Sequence, residues 1–254
     1  MKFCLIYNKC SSNGKKSNYI KEIYNFIKKD HSIDLFETYT KLEASNIIKD
    51  IFINKYDRLI LAGGDGTVSF AINELISNKI YLPDNFALGY IPVGTTNILQ
   101  TELGLNKSAL HNAKILVSNN IKQANLIKIN GKHFILMAGI GWDAQIVESI
   151  TPKFKRTLGK ILFVIKGLQK IIFMKNKIIK VIIHNEVIYA NWVLCCNSKY
   201  YAGYYSINDT NIFEEEFITF IFKNFNKTKI LYYIYSIIVC GNLPKSKDII
   251  VKKS

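Results

Sequence analysis

Little in this sequence points to metal or redox chemistry. Its five cysteines, Cys4, Cys10, Cys195, Cys196 and Cys240, are odd in number and show no C-x-x-C spacing. Neither a disulfide framework nor a zinc ribbon is indicated, and the thiols are expected to be reduced, buried and cytosolic. His31, His111, His133 and His184 are scattered and make no zinc motif. The most apolar late stretch, Ile230 to Val239, falls short of the ~20 residues a spanning helix needs. The first residues, Met1 to Asn8, carry too short an apolar run for a signal peptide and read as a strand. Arginine is nearly missing: Arg58 and Arg156 are the only two. What remains is a chain of 254 residues, 49% hydrophobic, with a formal net charge of +15 and a mean hydropathy of +0.09. These values indicate a soluble globular protein of one large or two modest domains.

The charge is unevenly placed. Residues 1–124 hold 15 basic and 11 acidic side chains, net +4, whereas residues 125–254 hold 19 and 8, net +11. Between Thr151 and Lys180 there are nine lysines or arginines and no acid. They are interleaved with Leu158, Ile161, Leu162, Phe163, Ile165 and Leu168, so Leu158 to Met174 reads as a basic amphipathic helix. Such a segment suits an anionic membrane surface better than nucleic acid, which calls for exposed stacking aromatics.

Two glycine-bearing turns dominate the first half. Arg58 to Ala62 reads as a short buried strand, Gly63-Gly64-Asp65-Gly66-Thr67 as a turn, and Val68 to Ile76 as a helix with Val68, Ala71, Ile72 and Leu75 on one face. Strand, glycine turn and helix together aim backbone N–H groups and a helix's positive end at a phosphate. Asp65 sits where a carboxylate would repel a phosphate unless Mg²⁺ or a hydrogen bond intervenes; it or Thr67 reads equally well as a helix cap. Ala87 to Ile91 is a second strand, running into Pro92-Val93-Gly94-Thr95-Thr96-Asn97 and a short helix, Ile98 to Leu103, closed by Gly104. Two such turns about thirty residues apart can lie side by side at the carboxyl edge of one parallel sheet, where open α/β sheets bind ligands.

Together, GGDGT and PVGTTNILQTELGL resemble the catalytic domain of diacylglycerol kinases and the related bacterial lipid kinases, over residues 2 to about 222. NAD kinases and phosphofructokinases share similar GGDG turns, but the GSTAY-like loop of NAD kinases is absent. The resemblance implies an α/β nucleotide-binding domain over 1–124, a β-rich antiparallel, sandwich-like domain over 125–254, and a cleft between them. It implies ATP and Mg²⁺ as cofactors, a membrane lipid as acceptor, and a cytoplasmic protein peripheral to the inner membrane face. Asn8 and Gly14 stand in the family's opening N-P-x-S-G loop, with Lys9 replacing the proline. Those two residues, Thr40, Gly63, Gly64, Asp65, Gly66, Thr67, Gly94, Thr95 and Asn97 are thereby expected to bind nucleotide, and Asp65 to be catalytic.

The rest of the chain is read in the same way. A helix is expected over Lys107 to Val117 and a hairpin around Asn130-Gly131, with strands Leu126–Ile129 and His133–Met137. Gly139 to Ala144 matches the family's G-x-G-F-D-A turn, with Asp143 as a helix cap or cleft residue. A second hairpin is expected from Lys177–His184 and Val187–Asn197, and Tyr200 to Gly203 should turn towards the cleft. Departures from the family also appear. Ser69 and Phe70 replace the Asn-Glu that usually follows GGDGT, and Ile98 replaces an aspartate after Asn97. The family's L-x-D-D-G-x-L metal loop is replaced by Ile212 to Phe217, where Glu215 is the candidate Mg²⁺ ligand. The family's D-G-E segment, whose glutamate is taken as general base, has no counterpart. The leading expectation is an ATP-dependent lipid kinase; the alternative is a catalytically impaired nucleotide-binding relative.

Overall fold

Alternating apolar strands and one-sided helices build the first half. The computed structural model describes residues 1–11, 16–149, 178–183, 186–201, 205–224 and 226–253. The chain divides into two compact units, one of residues 1–123 with 130–133, the other of 124–129 with 134–254.

In the first unit, β1 (Lys2–Asn8), β2 (Ser32–Thr38), β3 (Arg58–Gly63) and β4 (Ala87–Pro92) form a parallel sheet in the order β2-β1-β3-β4. The helices between them are α1 (Ser17–Lys28), α2 (Lys41–Lys49) and α3 (Asp65–Ser77), followed by α4 (Ile98–Glu102) and α5 (Ala109–Val117). Phe3, Leu5, Tyr7, Ile60, Ala62, Ile91 and Val93 face α1 and α5 in one core. The alternate set, Cys4, Ile6, Leu59 and Leu61, is equally buried. Covering both faces is what lets parallel strands be continuously apolar. Thr40 caps α2 by accepting the Glu43 N–H at 3.2 Å, while Glu43 reaches back to the Tyr39 N–H at 2.8 Å. That reciprocal pairing satisfies donors the helix start would otherwise leave bare. Ser108 caps α5 through the His111 N–H, so this helix begins at Ala109 and not at Lys107.

Strand order reverses direction between β1 and β3. The chain moves outward to β2 on one side and to β4 on the other, which opens a crevice at the carboxyl ends of the two central strands. Asn8 ends β1 and Gly63 ends β3.

Beyond the parallel sheet the chain is mainly antiparallel, starting with a hairpin whose residues 130–133 belong to the first unit. Between β5 (Ile127–Ile129) and β6 (Lys132–Phe134), Asn130 and Gly131 both take positive φ, 48° and 77°, as a tight hairpin turn requires. The expected strand His133–Met137 breaks after Phe134, because Met137 opens β7 (Met137–Gly141), which belongs to a different sheet. Likewise the expected strand Val187–Asn197 is two strands, β9 (Glu186–Ala190) and β10 (Trp192–Cys196). β9 pairs with β8 (Ile179–Ile183), while β10 pairs with β7 and with β13 (Ile218–Phe222). A Cβ at Gly141 would meet the Asn191 carbonyl oxygen at 2.3 Å, so the backbone bend between β9 and β10 rests against a glycine. The larger sheet runs β14-β13-β10-β7, with β14 covering Ile249–Lys253. Helix α6 (Trp142–Glu148), the short pair β11 (Tyr200–Tyr201) and β12 (Tyr205–Ser206), and helix α7 (Lys227–Tyr235) with a π turn over Ser236–Cys240 complete the second unit.

Its core is aromatic. Trp192 stacks on Phe222 with ring centroids 3.8 Å apart, Trp142 meets Trp192 edge-on at 5.3 Å, and Tyr233 leans on Phe222. Among the described residues no helix is long and apolar enough to cross a membrane. The basic helix expected over Leu158–Met174 lies outside the described residues, as do the ends of the expected turn at Ala202 and Gly203.

Candidate nucleotide site

The carboxyl ends of β3 and β4 carry the two glycine turns side by side. Gly63 pairs with Pro92 in the parallel register, and the Gly63 carbonyl accepts both the Val93 and the Gly94 N–H, each at 3.0 Å. A Cβ added to Gly94 would lie 2.4 Å from Gly64 Cα and 2.6 Å from Asn97 Oδ1. The two turns therefore touch backbone to backbone, an approach that no other residue type at position 94 permits.

Asp65 was expected to cap its own helix or to face a phosphate, and it does neither in a simple way. Gly64 is the N-cap of α3, without a side-chain cap, and Asp65 is the first helical residue. Its carboxylate reaches across to the second turn, where one oxygen accepts the Ile98 N–H at 2.9 Å and the other the Leu99 N–H at 3.0 Å. Asp65 thus caps α4 from outside, and a charged acceptor there complements the positive end of that short helix. Asn97 finishes the weld. It sits in the left-handed region at φ 50°, donates from Nδ2 to the Gly94 carbonyl at 3.1 Å, and accepts from the Tyr90 hydroxyl at 3.2 Å. Burial pushes the Tyr90 phenol well up, and the nearby Asp65 charge pushes the same way, so Tyr90 remains a donor. Tyr90 was not singled out from the sequence; an aromatic within an apolar strand looks like core until its hydroxyl is located.

Asn8 joins from β1. Its Nδ2 donates to Thr67 Oγ1 at 3.3 Å and its Oδ1 accepts the Cys10 N–H at 3.0 Å. The contact spans the crevice between the two central strands, so Asn8, the Gly63–Thr67 turn and the Gly94–Asn97 turn are gathered at one sheet edge. Thr67 in turn packs on Gly63, where a Cβ would meet its Oγ1 at 2.3 Å. Gly66 and Thr95 are exposed, and a Cβ at Gly66 would meet nothing within 4 Å. The start of α3 is therefore open, without a side-chain cap, and its dipole is directed at that space. Thr40 follows β2 at the same sheet edge and is exposed, with its hydroxyl engaged in the α2 cap. Gly14 lies outside the described residues. Asn73 and Glu74 serve elsewhere: Asn73 brackets the backbone of His133 at 2.8 and 2.9 Å, and Glu74 accepts from Ser45 on α2.

Glu215 stands on an exposed turn in the second unit. Among the described residues no group of three or more His, Cys, Asp or Glu side chains could hold a metal ion. Among the described residues no side-chain magnesium cage is formed, and the Asp65 carboxylate is committed to backbone N–H groups.

The second unit holds one further polar pair. Asp143 lies in the first turn of α6, but Gly141 is the N-cap, so the cap expected of Asp143 is not made. Its carboxylate instead accepts the Tyr201 hydroxyl at 2.7 Å. Burial raises the Asp143 carboxyl to about 6, against the pull of the Tyr201 and Trp192 donors, which favour the ionised form.

Residues 2–129 match the model of the diacylglycerol kinase catalytic domain. The diacylglycerol kinase of Bacillus subtilis (strain 168) is 28% identical over 167 residues, covering 65% of this chain and 54% of the relative. That of Staphylococcus saprophyticus is 31% identical over 132 residues, covering 52% of this chain and 42% of the relative. The chain thus spans about half the length of the curated relatives it matches. A crystal structure described as a diacylglycerol kinase from Bacillus anthracis superposes with a TM-score of 0.75 at 23% identity, covering all of this chain and 83% of that one, which establishes a common fold.

Proposed function

Starting from the chain's membership of the diacylglycerol kinase catalytic domain family, which the match over residues 2–129 establishes, we propose that it is an ATP-dependent lipid kinase. The reaction would transfer the γ-phosphate to a hydroxyl of diacylglycerol or a similar membrane lipid. The observation that carries this reading is the abutment of Gly64 and Gly94 at the carboxyl ends of β3 and β4, with the open start of α3 beside them. Phosphoryl transfer asks mainly for positioning and charge compensation. Backbone N–H groups in the two turns and the positive end of α3 offer both to a triphosphate, and a small residue at 66 leaves room for it.

Asp65 acts in this reading as the residue that sets one turn against the other, in place of the direct catalytic role expected from the sequence. Asn8, Thr67, Thr95 and Asn97 shape or border the same space. Mg²⁺, whose usual contribution is to offset phosphate charge, would arrive with the nucleotide, since the described residues hold no cage for it. A lipid acceptor places the reaction at a membrane surface, peripheral and cytoplasmic in keeping with the ATP supply. The basic 151–180 segment is a further candidate for contact with anionic headgroups.

The test is transfer of label from γ-labelled ATP to a panel of neutral lipids in mixed micelles. Organic-phase product that disappears in Gly94→Ala supports the reading. The engaged carboxylate of Asp65 favours a second one, in which the chain binds nucleotide without turnover. Calorimetric ATP binding with no labelled lipid would decide for that alternative, and no ATP binding would end both.

A further inference from the structure

Beyond its first turn, which holds Lys227, Thr228 and Lys229, helix α7 carries apolar and tyrosine side chains on both its inner and its outer face. Ile230, Tyr233 and Ile237 turn inward and join the aromatic core of the second unit. Leu231, Tyr232, Tyr235 and Val239 turn outward and are 49%, 55%, 59% and 60% exposed. Residues 231, 235 and 239 are four apart and so lie in one row, with Tyr232 beside it. A contiguous apolar strip on a helix otherwise anchored in a core marks a surface used for contact.

The charge around the strip identifies the contact. From Phe217 to Asp248 there are five lysines, Lys223, Lys227, Lys229, Lys245 and Lys247, against the single acid Asp248. That acid is already engaged, by Lys229 at 2.6 Å and by Asn224 at 3.1 Å. The Lys223 N–H also reaches the Asp248 carbonyl at 2.8 Å, which brings the segment ending in Lys247 back beside the start of α7. Lys227, one turn ahead of Leu231, is exposed, as are Lys245 and Lys247. Aliphatic and tyrosine side chains flanked by lysines, without free acids, are the make-up of a helix that lies in the plane of a bilayer interface. Tyrosine belongs at headgroup depth, with its ring among acyl carbons and its hydroxyl in water. A second copy of the chain fits less well, because a two-fold contact through this strip would set lysines against lysines.

We propose that the outer face of α7 and its π turn docks the protein on an anionic lipid bilayer. The choice of a bilayer rests on the lipid-kinase reading, which it deepens by naming where the surface is met. The test is co-sedimentation of the whole chain with phosphatidylcholine vesicles with and without phosphatidylglycerol, lacking both ATP and acceptor lipid. The chain is expected on the anionic vesicles and to be released by high salt. Tyr235→Ser/Val239→Ser, changed only at exposed positions, is expected to partition about tenfold more weakly or worse, since two apolar side chains no longer enter the interface. Lys227→Glu/Lys247→Glu should remove the preference for anionic vesicles.

Unchanged binding by the Tyr235/Val239 variant overturns the proposal, as does failure of the unaltered chain to bind anionic vesicles. A dimer in sedimentation velocity that dissociates in the same variant overturns it in favour of a second copy. Transfer of phosphate to a short-chain, water-soluble diacylglycerol is measured separately. Vesicle binding without any transfer ends the kinase reading and leaves the docking surface, whereas transfer with vesicle binding indifferent to the strip does the reverse.

Discussion

One carboxylate oxygen of Asp65 lies 2.9 Å from the amide nitrogen of Ile98, a residue 33 positions further along the chain. The other oxygen holds the next amide, that of Leu99. A side chain in the first glycine turn thus fixes the helix that follows the second, and two loops that a linear motif presents separately are one object.

Asp65→Asn should therefore unfold more easily as well as bind nucleotide less well. An amide presents one acceptor where the carboxylate presents two, and its NH₂ would point at a backbone donor. Hydrogen bonds to a charged group contribute ~1.5–3 kcal/mol each, so a loss of about 2 kcal/mol is expected. Urea denaturation measures it as a fall in midpoint. A variant that loses turnover at undiminished stability would make Asp65 a purely chemical residue.

Gly94→Ala and Gly66→Ala should separate structure from binding. The alanine at 94 cannot be placed without pushing the turns apart, because its Cβ would lie 2.4 Å from Gly64 Cα. Stability and ATP affinity should both fall. Position 66 is open and helical, so alanine there should stabilise the fold by ~0.5–1 kcal/mol. Its methyl group nevertheless enters the space assigned to phosphate, so ATP affinity should drop. Thermal melts with parallel calorimetry read both quantities; a Gly66→Ala protein that binds ATP normally would move the phosphate elsewhere.

Asp143 supplies a pH dependence. The folded carboxyl keeps its proton up to about 6, whereas the unfolded one loses it near 3.8. Between those values the folded state binds more protons, so stability falls as pH rises through the window and stays lower above it. Two pH units correspond to about 3 kcal/mol, an upper figure for a half-buried group. Asp143→Asn keeps an acceptor for Tyr201 and removes the charge. Its advantage over the unaltered chain should be absent at the acid end of the window and largest at neutral pH, as read by urea midpoints. An advantage that does not change with pH would contradict this.

The thiols should divide by burial. Cys4 is sealed in the sheet, and burial, aided by the Asp34 charge, pushes it up to about 12; burial raises Cys196 as well. Cys240 is exposed, and Cys10 and Cys195 are half-buried, so the expectation of uniformly buried thiols fails at those three positions. Ellman's reagent should react fast with Cys240, more slowly with Cys10, and with Cys4 and Cys196 only on unfolding. Loss of the fast phase in Cys240→Ser checks the order.

The parallel sheet and both glycine turns were legible because their strands are short apolar runs ended by residues that few other structures use. The partners within the site were not. Nothing near Asp65 in sequence announces Ile98, and Asn8 meets Thr67 only because β1 and β3 are neighbours. Register also hid the bend at Asn191. Residues 187–197 are continuously apolar enough for one strand, and the break becomes visible only where Gly141 admits the Asn191 carbonyl. Caps followed the same pattern: Asp143 has the composition of a cap, yet a distant tyrosine claims it.

The double acceptance at the Gly63 carbonyl has a kinetic corollary. Val93 and Gly94 share one oxygen, so any opening that carries the Gly63 carbonyl away releases both amides in a single event. A nucleotide that tightens that lip should therefore raise the protection of both amides against deuterium exchange.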